Sequence, residues 1–350
     1  MTLTGLCAYP SLSVACLLAA GAMMTAASSA SAAAPSASAS ASAPVAAKAA
    51  SAFPSRPVRL LLGSAAGGAA DVLMRTLTQE MTLQLGQQVV VDNRPGGSGL
   101  IAMELLARAE PDGYTIGYGN AATLAINPAL FDRLPYDSLR DFQPIARFNS
   151  SQNVLVVRTT LPVASVTELV EYARRNPGKL SYGSPGNGTT VHLAAELFLQ
   201  MTGTRMLHVP YKAIGQATSE MIGGQIDVMF DNLTSIAQHV KSGKVRALGV
   251  TGPARTPLFP ELPTIAEAGV PKYEVTTWGG VIGPARLPPA VLARLNESIV
   301  KGCEAPALKE RLSAVGNQCV GGTPQGFRNF LRVEIAKWAE IVKQSGAKPE

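Results

Sequence analysis

Three times in this chain an apolar run stops at a glycine-bearing turn and a helical pattern begins at once. The first junction is Pro57 to Arg75 (PVRLLLGSAAGGAADVLMR), the second surrounds Asp92 to Gly99 (DNRPGGSG), and the third surrounds Gly183 to Thr190 (GSPGNGTT). Aliphatic residues without a breaker, such as Val58 to Leu62, read as a buried strand. The helix that follows leaves its first backbone N–H groups pointing back at the turn. Those donors and the helix dipole both favour negative charge, so each junction can seat an anion. Strands alternating with helices over short connections predict an α/β protein with a parallel, doubly wound sheet. Its ligands belong at the carboxyl ends of the strands.

The rest of the pattern fits that scheme. The first helix is expected over 69–85, closed by Gly86, and a strand from Tyr114 to Tyr118 delivers Asn120 to Thr123 at its end. An irregular stretch over 134–144 precedes a strand from Asn153 to Arg158. Ser165-x-x-Glu168 and Thr264-x-x-Glu267 are capping boxes, each expected to open a helix. Further strands are expected at His208–Tyr211, Ile226–Asp231, Val245–Thr251 and Val275–Ile282, and tail helices at Pro289–Cys303, Pro306–Val315 and from Thr323-Pro324 to Gln344.

Charged residues make up 15% of the 350-residue chain and apolar ones 47%, the composition of a globular protein with a sizeable core. The net charge of +6 comes from interspersed lysines and arginines, not a basic stripe, so nucleic acid is not an expected partner. Residues 1–32 read as a secretory signal, with a short apolar core from Leu17 to Thr25 and a small-residue cleavage site at Ala30-Ser31-Ala32. No Lys or Arg precedes Lys48, which departs from the usual basic start of such a signal. Cys16 is not expected to carry a lipid, because Ser13 stands where a lipobox requires Leu. Residues 33–52 are an Ala/Ser/Pro-rich linker. Cys303 and Cys319 remain after cleavage, an even pair able to form a disulfide in an oxidising compartment.

Most catalytic chemistry lacks its residues. There is no GxSxG elbow, and Thr189 stands where a phosphate-binding loop needs its lysine. His192, His208 and His239 show no metal-ligand spacing, and no carboxylate pair suits general acid–base work. Asp71 and Asp231 are the only residues that a secreted enzyme acting on organic acids could use. Any one glycine-rich turn is what an α/β fold needs anyway. Several of them in a chain without catalytic groups, metal sites or cofactor motifs point to binding without turnover.

The chain resembles the Bug receptors, the extracytoplasmic solute receptors of the tripartite tricarboxylate transporter family. The resemblance runs from Phe53 to Glu350 and rests on FPSRPVRLLL, VVVDNRPGGSG, ARAEPDGYT, NPALFDRLPYDSLRDFQPIA, NPGKLSYGSPGNGTTVHLAAELF, IGGQIDVMFDN, VRALGVTGPAR and LPTIAEAGVP, in order. It implies a type II periplasmic-binding-protein fold: two Rossmann-like lobes around a ligand cleft, joined by two hinge crossings. Lobe I would comprise 53–156 and 275–350, and lobe II 157–274. It also implies a periplasmic monomer that takes a small organic acid to the membrane permease subunits of such a transporter. Docking of the liganded form on a sensor kinase is the alternative partner role.

Carried over by position, the resemblance puts ligand contacts at Ser64, Ala65, Ala66, Gly67, Gly68 and Asp71. Facing contacts fall at Ser184, Gly188, Thr189 and Thr190, and side contacts at Asn120, Thr123, Asp231 and Asn232. One departure stands out. The family's first loop usually reads like PFPPGGSTD, whereas here it is GSAAGGAAD, with alanines for the prolines and Ala70 for the threonine.

Overall fold

The computed structural model describes residues 53–349; the expected signal, Cys16 and the linker lie outside them. β1 (Val58–Leu62) is a buried strand, and α1 (Ala69–Leu85) ends at Gly86 in the left-handed conformation that favours glycine. β2 (Val89–Asn93) and α2 (Leu100–Ala107) repeat the device, and β3 (Thr115–Asn120) follows. A π turn over 122–126 leads into the short α3 (Asn127–Leu130).

β4 (Phe142–Arg158) is the longest strand. Beyond it lie α4 (Val166–Arg175), β5 (Ser181–Ser184), α5 (Thr190–Thr202), β6 (Leu207–Pro210), α6 (Ile214–Ile222), β7 (Val228–Asn232), α7 (Leu233–Lys241) and β8 (Val245–Val250). β9 (Thr276–Pro284), α8 (Pro289–Glu304), α9 (Pro306–Ala314), β10 (Asn317–Gly321) and α10 (Pro324–Ser345) complete the chain.

The strands run in the order β2-β1-β3-β9-β4-β7-β5-β6, with β8 and β10 also on β4. Only the flanks are parallel: β1 with β2 and β3, and β5 with β6 and β7. β9 runs antiparallel to β3, and β4 runs antiparallel to β7, β8, β9 and β10. The wholly parallel sheet read from the strand–helix alternation is thus corrected to a mixed one. Parallel pairing needs a crossover helix, and the strands that pass between the lobes have none.

β4 joins the two halves. Its residues 142–152 pair with β9, and 153–158 pair with β7 and β8. The pairing partner of β4 thus changes at Gln152–Asn153. The Val275 N–H donates to the Thr251 carbonyl at 2.8 Å. The result is the two-lobed α/β architecture of type II periplasmic binding proteins. α10 leans on both lobes: Trp338, Ile341 and Val342 share one buried cluster with Leu124 and Ile126 of the first and Phe198 of the second.

Three local readings change. β4 begins at Phe142, not Asn153, because Pro144 falls at a register shift, where a strand tolerates a missing N–H. β10 forms in the stretch between the second and third tail helices, to which the sequence assigns no element. The Thr264–Glu267 capping box forms both reciprocal hydrogen bonds, each 3.0 Å, yet only turns follow. Gly269, at φ 111°, and Pro271 close the segment before a helix can propagate.

Candidate ligand-binding site

The ends of β1, β2 and β3 converge on one cavity of about 370 Å³. They meet this closely because glycines stand at the contacts. A Cβ on Gly63 would lie 2.9 Å from the Gly99 Cα, and one on Gly99, at φ +87°, would lie 2.8 Å from the Thr123 methyl. The first loop is braced from behind by Asp71, whose side chain is almost wholly buried in the first turn of α1. Its Oδ2 accepts from the Gly67 N–H at 2.9 Å and from Arg75 Nε at 2.8 Å; its Oδ1 accepts from Asn93 Nδ2 at 2.9 Å. Asn93 Nδ2 also donates to the Ser64 carbonyl, tying the second strand end to the first loop. The Arg75 hydrogen bond first, then those from Gly67 and Asn93, hold the Asp71 carboxyl well below the usual carboxylate range.

Gly68, the N-cap of α1, offers no side-chain oxygen to the helix. The first-turn N–H groups of Ala69 and Ala70 therefore have no side-chain cap, the arrangement that favours an anion at a helix start. The Ser64 hydroxyl lines the same cavity, shut off from solvent and without a hydrogen-bond partner. Asn120 and Thr123 close the third side, the backbone N–H of each donating to the side-chain oxygen of the other at 3.0 Å. None of the described residues lining the cavity is charged. An anion entering it would meet N–H dipoles and hydroxyls, with Met103 and Tyr118 as apolar wall.

Of the residues singled out from sequence, Ser64, Ala65, Asn120 and Thr123 line this cavity, while Ala66, Gly67 and Gly68 are exposed and do not line it. Asp71 supports the loop instead of facing the cavity. Pro95, Gly96, Ser98 and Gly99 line it too. The sequence reading saw their glycine-rich loop but assigned it no contact. The repeated strand–turn–helix pattern was the signal that could have placed it there.

The second-lobe residues are arranged differently. Ser184 is fully buried, with its Oγ 2.7 Å from His208 Nε2 and donating to the Gly186 carbonyl at 3.1 Å. Thr189 is the N-cap of α5, accepting from the His192 N–H at 3.2 Å and donating to the Gly186 carbonyl at 2.9 Å. Both hydroxyls thus shape their own loop, and Thr190 is the first residue of the helix that Thr189 caps. Gly188 packs against Leu130 of the first lobe, closely enough that a side chain there would clash.

Asp231, expected at the side of the cleft, is instead fully buried, accepting from Ser235 Oγ at 2.6 Å and Thr218 Oγ1 at 3.1 Å. Burial raises its pKa to about 6. Asn232 is half-buried at the N-cap of α7. Neither aspartate that an enzyme would need is therefore open to a substrate.

Histidines distant in sequence come together under the second loop. The His192 and His208 rings stack at 4.2 Å, with Tyr182 4.8 Å from His208. His192 Nδ1 accepts from the Gly188 N–H at 3.1 Å, and the Tyr182 hydroxyl donates to the Glu196 carboxylate. Cys303 and Cys319 are joined as a disulfide.

The family model described as "Tripartite tricarboxylate transporter family receptor" matches residues 73–347. The chain belongs to that family. It is 41% identical over 292 residues, 83% of its own length and 87% of the relative's, to the UPF0065 protein in the tcbD-tcbE intergenic region of Pseudomonas sp. strain P51. BugT of Bordetella pertussis is 33% identical over 300 residues, 85% of this chain and 92% of that one, which marks the receptor as Bug-type. Among solved structures, R. palustris Rpa4515 with adipate superposes with a TM-score of 0.75 at 35% identity, covering 85% of this chain and 100% of that one. MatC (Rpa3494) from Rhodopseudomonas palustris with bound malate gives 0.71 at 28% identity, over 83% and 100%.

Proposed function

We propose that this receptor captures a small organic carboxylate in the periplasm and delivers it to the membrane subunits of a tripartite tricarboxylate-type transporter. The observation that carries the reading is the uncharged cavity at the uncapped start of α1, where backbone N–H groups and the Ser64 hydroxyl await an anion. Dipoles and neutral donors hold a carboxylate at modest net gain per hydrogen bond, which suits a protein that must release what it binds. The adipate and malate held by two structural relatives support a carboxylate as the ligand class. In this reading the first loop (Ser64 to Gly68), Asn120 and Thr123 take one carboxylate end, and the Gly183–Thr190 loop closes over the other. Asp71 acts through the loop it braces, and no turnover takes place.

The test is a calorimetric titration of the mature protein with adipate, malate, citrate and benzoate. Saturable binding of at least one acid, without chemical change to it, is expected. Failure of all four, or conversion of a bound acid to product, would contradict the reading.

A further inference from the structure

A second cavity, of about 300 Å³, lies at the crossing strands and shares no lining residue with the first. From the first lobe it takes Arg147 and Ser150 of β4, Thr276 of β9 and Phe330 of α10; from the connection out of β8 it takes Arg255. Gln152 links the two sides, its Nε2 donating to the Ala254 carbonyl at 2.9 Å.

Arg147 is the unusual member. Its guanidinium lies 3.8 Å above the Phe330 ring, and its Nε is shut off from solvent with no hydrogen-bond partner. Among the described residues no carboxylate pairs with it. Glu334, whose charge acts on it, is already taken by the indole N–H groups of Trp278 and Trp338 and by Lys337. A half-buried cation without acceptors is costly to keep unless something completes its hydrogen bonds. The guanidinium is stacked on the ring beneath it and lines the cavity, and its planar fork of donors is the geometry that matches a planar oxyanion. Ser150 and Thr276 add hydroxyls. Among the lining residues two cations, Arg147 and Arg255, stand against one exposed carboxylate, Glu274, and Arg255 is held at the rim by Glu267 at 2.9 Å.

We propose that this hinge cavity is a second anion site, in which Arg147 holds a small oxyanion. The shared chemistry is a forked pair of hydrogen bonds to two oxygens, which a carboxylate or an inorganic oxyanion can supply.

Trp278 provides the readout, because its ring meets Phe330 edge-on at 5.1 Å. Tryptophan emission of the full-length mature protein is followed during titration with sulfate and, separately, acetate at constant ionic strength. The same titrations are run on Arg147→Met, which keeps the stem over Phe330, and on Arg147→Lys, which keeps charge without the fork. A saturable change in the wild type is expected, at least ten-fold weaker in Arg147→Lys and absent in Arg147→Met. The ion that saturates at the lower concentration identifies the source as carboxylate or inorganic. No saturable response in the wild type, or an unchanged midpoint in Arg147→Lys, would overturn the proposal. If Arg147→Met does not fold, the lysine variant alone decides it. Because the first cavity shares no residue with this one, solute binding by calorimetry should be unchanged in both variants.

Discussion

Asp71 shows how one side chain can govern a site it does not touch. Its carboxylate takes a backbone N–H, an arginine and an asparagine at once, and so braces the loop that lines the first cavity. Asp71→Asn keeps the shape but replaces one acceptor by a donor that must face either Arg75 and Gly67 or the Asn93 amide N–H. Solute affinity is expected to fall roughly ten-fold, the effect of losing one or two such hydrogen bonds, as read by calorimetry; an unchanged affinity would remove Asp71 from the account. Gly63→Ala tests the convergence of loops. Its methyl would meet Gly99 backbone, which cannot move aside as a side chain could, and overpacking of this kind costs about 1–3 kcal/mol. A lowered denaturation midpoint is the expected result.

Two buried groups set opposing pH dependences. Burial, then the neighbouring His208, presses the His192 pKa from 6.5 down to about 4. The folded state then holds fewer protons than the unfolded chain in that window, so this contribution to stability is lost as pH falls from 6.5 to 4. Burial raises the Asp231 pKa from 3.8 to about 6, so the folded state there holds more protons, and this contribution is lost as pH rises through that window. Each is worth at most about 3 kcal/mol. Denaturant unfolding at intervals between these limits should show stability rising more steeply with pH in Asp231→Asn and falling with pH in His192→Gln. Profiles identical to the wild type would show that neither group titrates as its surroundings imply.

At the scale of elements, β4 is what makes one structure of two lobes, and β10 is its clamp. β10 pairs with the stretch of β4 just before the crossing, Cys319 opposite Asn149 and Asn317 opposite Ser151, and the disulfide ties that strand to the end of α8. Closing a loop of this size stabilises by about 3 kcal/mol through the unfolded chain. Cys303→Ser with Cys319→Ser, or reduction, should lower the thermal midpoint by roughly 5 °C; no shift would mean that the pairing with β4 holds β10 unaided. The elements were legible where the pattern was strong. β1, α1, α4 and α5 follow from aliphatic runs, glycine stops and a capping box. The first half of β4 was hidden because Asn149 and Ser151 are buried polar residues, satisfied sideways by Asn317 and the Gly316 carbonyl, contacts that no local pattern announces. β10 was missed for the same reason: its partner lies far away in sequence.

Across the whole molecule, the site was legible as to kind and less so as to membership. Helix starts with small residues pointed to the loops that line the first cavity, and the family resemblance pointed to the second loop. What sequence could not show is which hydroxyls the fold had already engaged. Ser184 and Thr189 looked like ligand contacts and turn out to hold their own loop, while Asp231 lies in the interior. Conversely, the packing of Gly63 on Gly99 brings the Pro95–Gly99 loop into the cavity, and a loop's neighbours are a property of tertiary structure. The central claim is that the first lobe binds an acid with backbone dipoles rather than with a charged side chain. A crystal structure of the mature protein with adipate or malate tests it most directly. The expected result is a carboxylate within about 3 Å of the Ala69 and Ala70 N–H groups, with the Gly183–Thr190 loop across the cleft. A carboxylate paired instead with an arginine or lysine, away from the start of α1, would contradict the account.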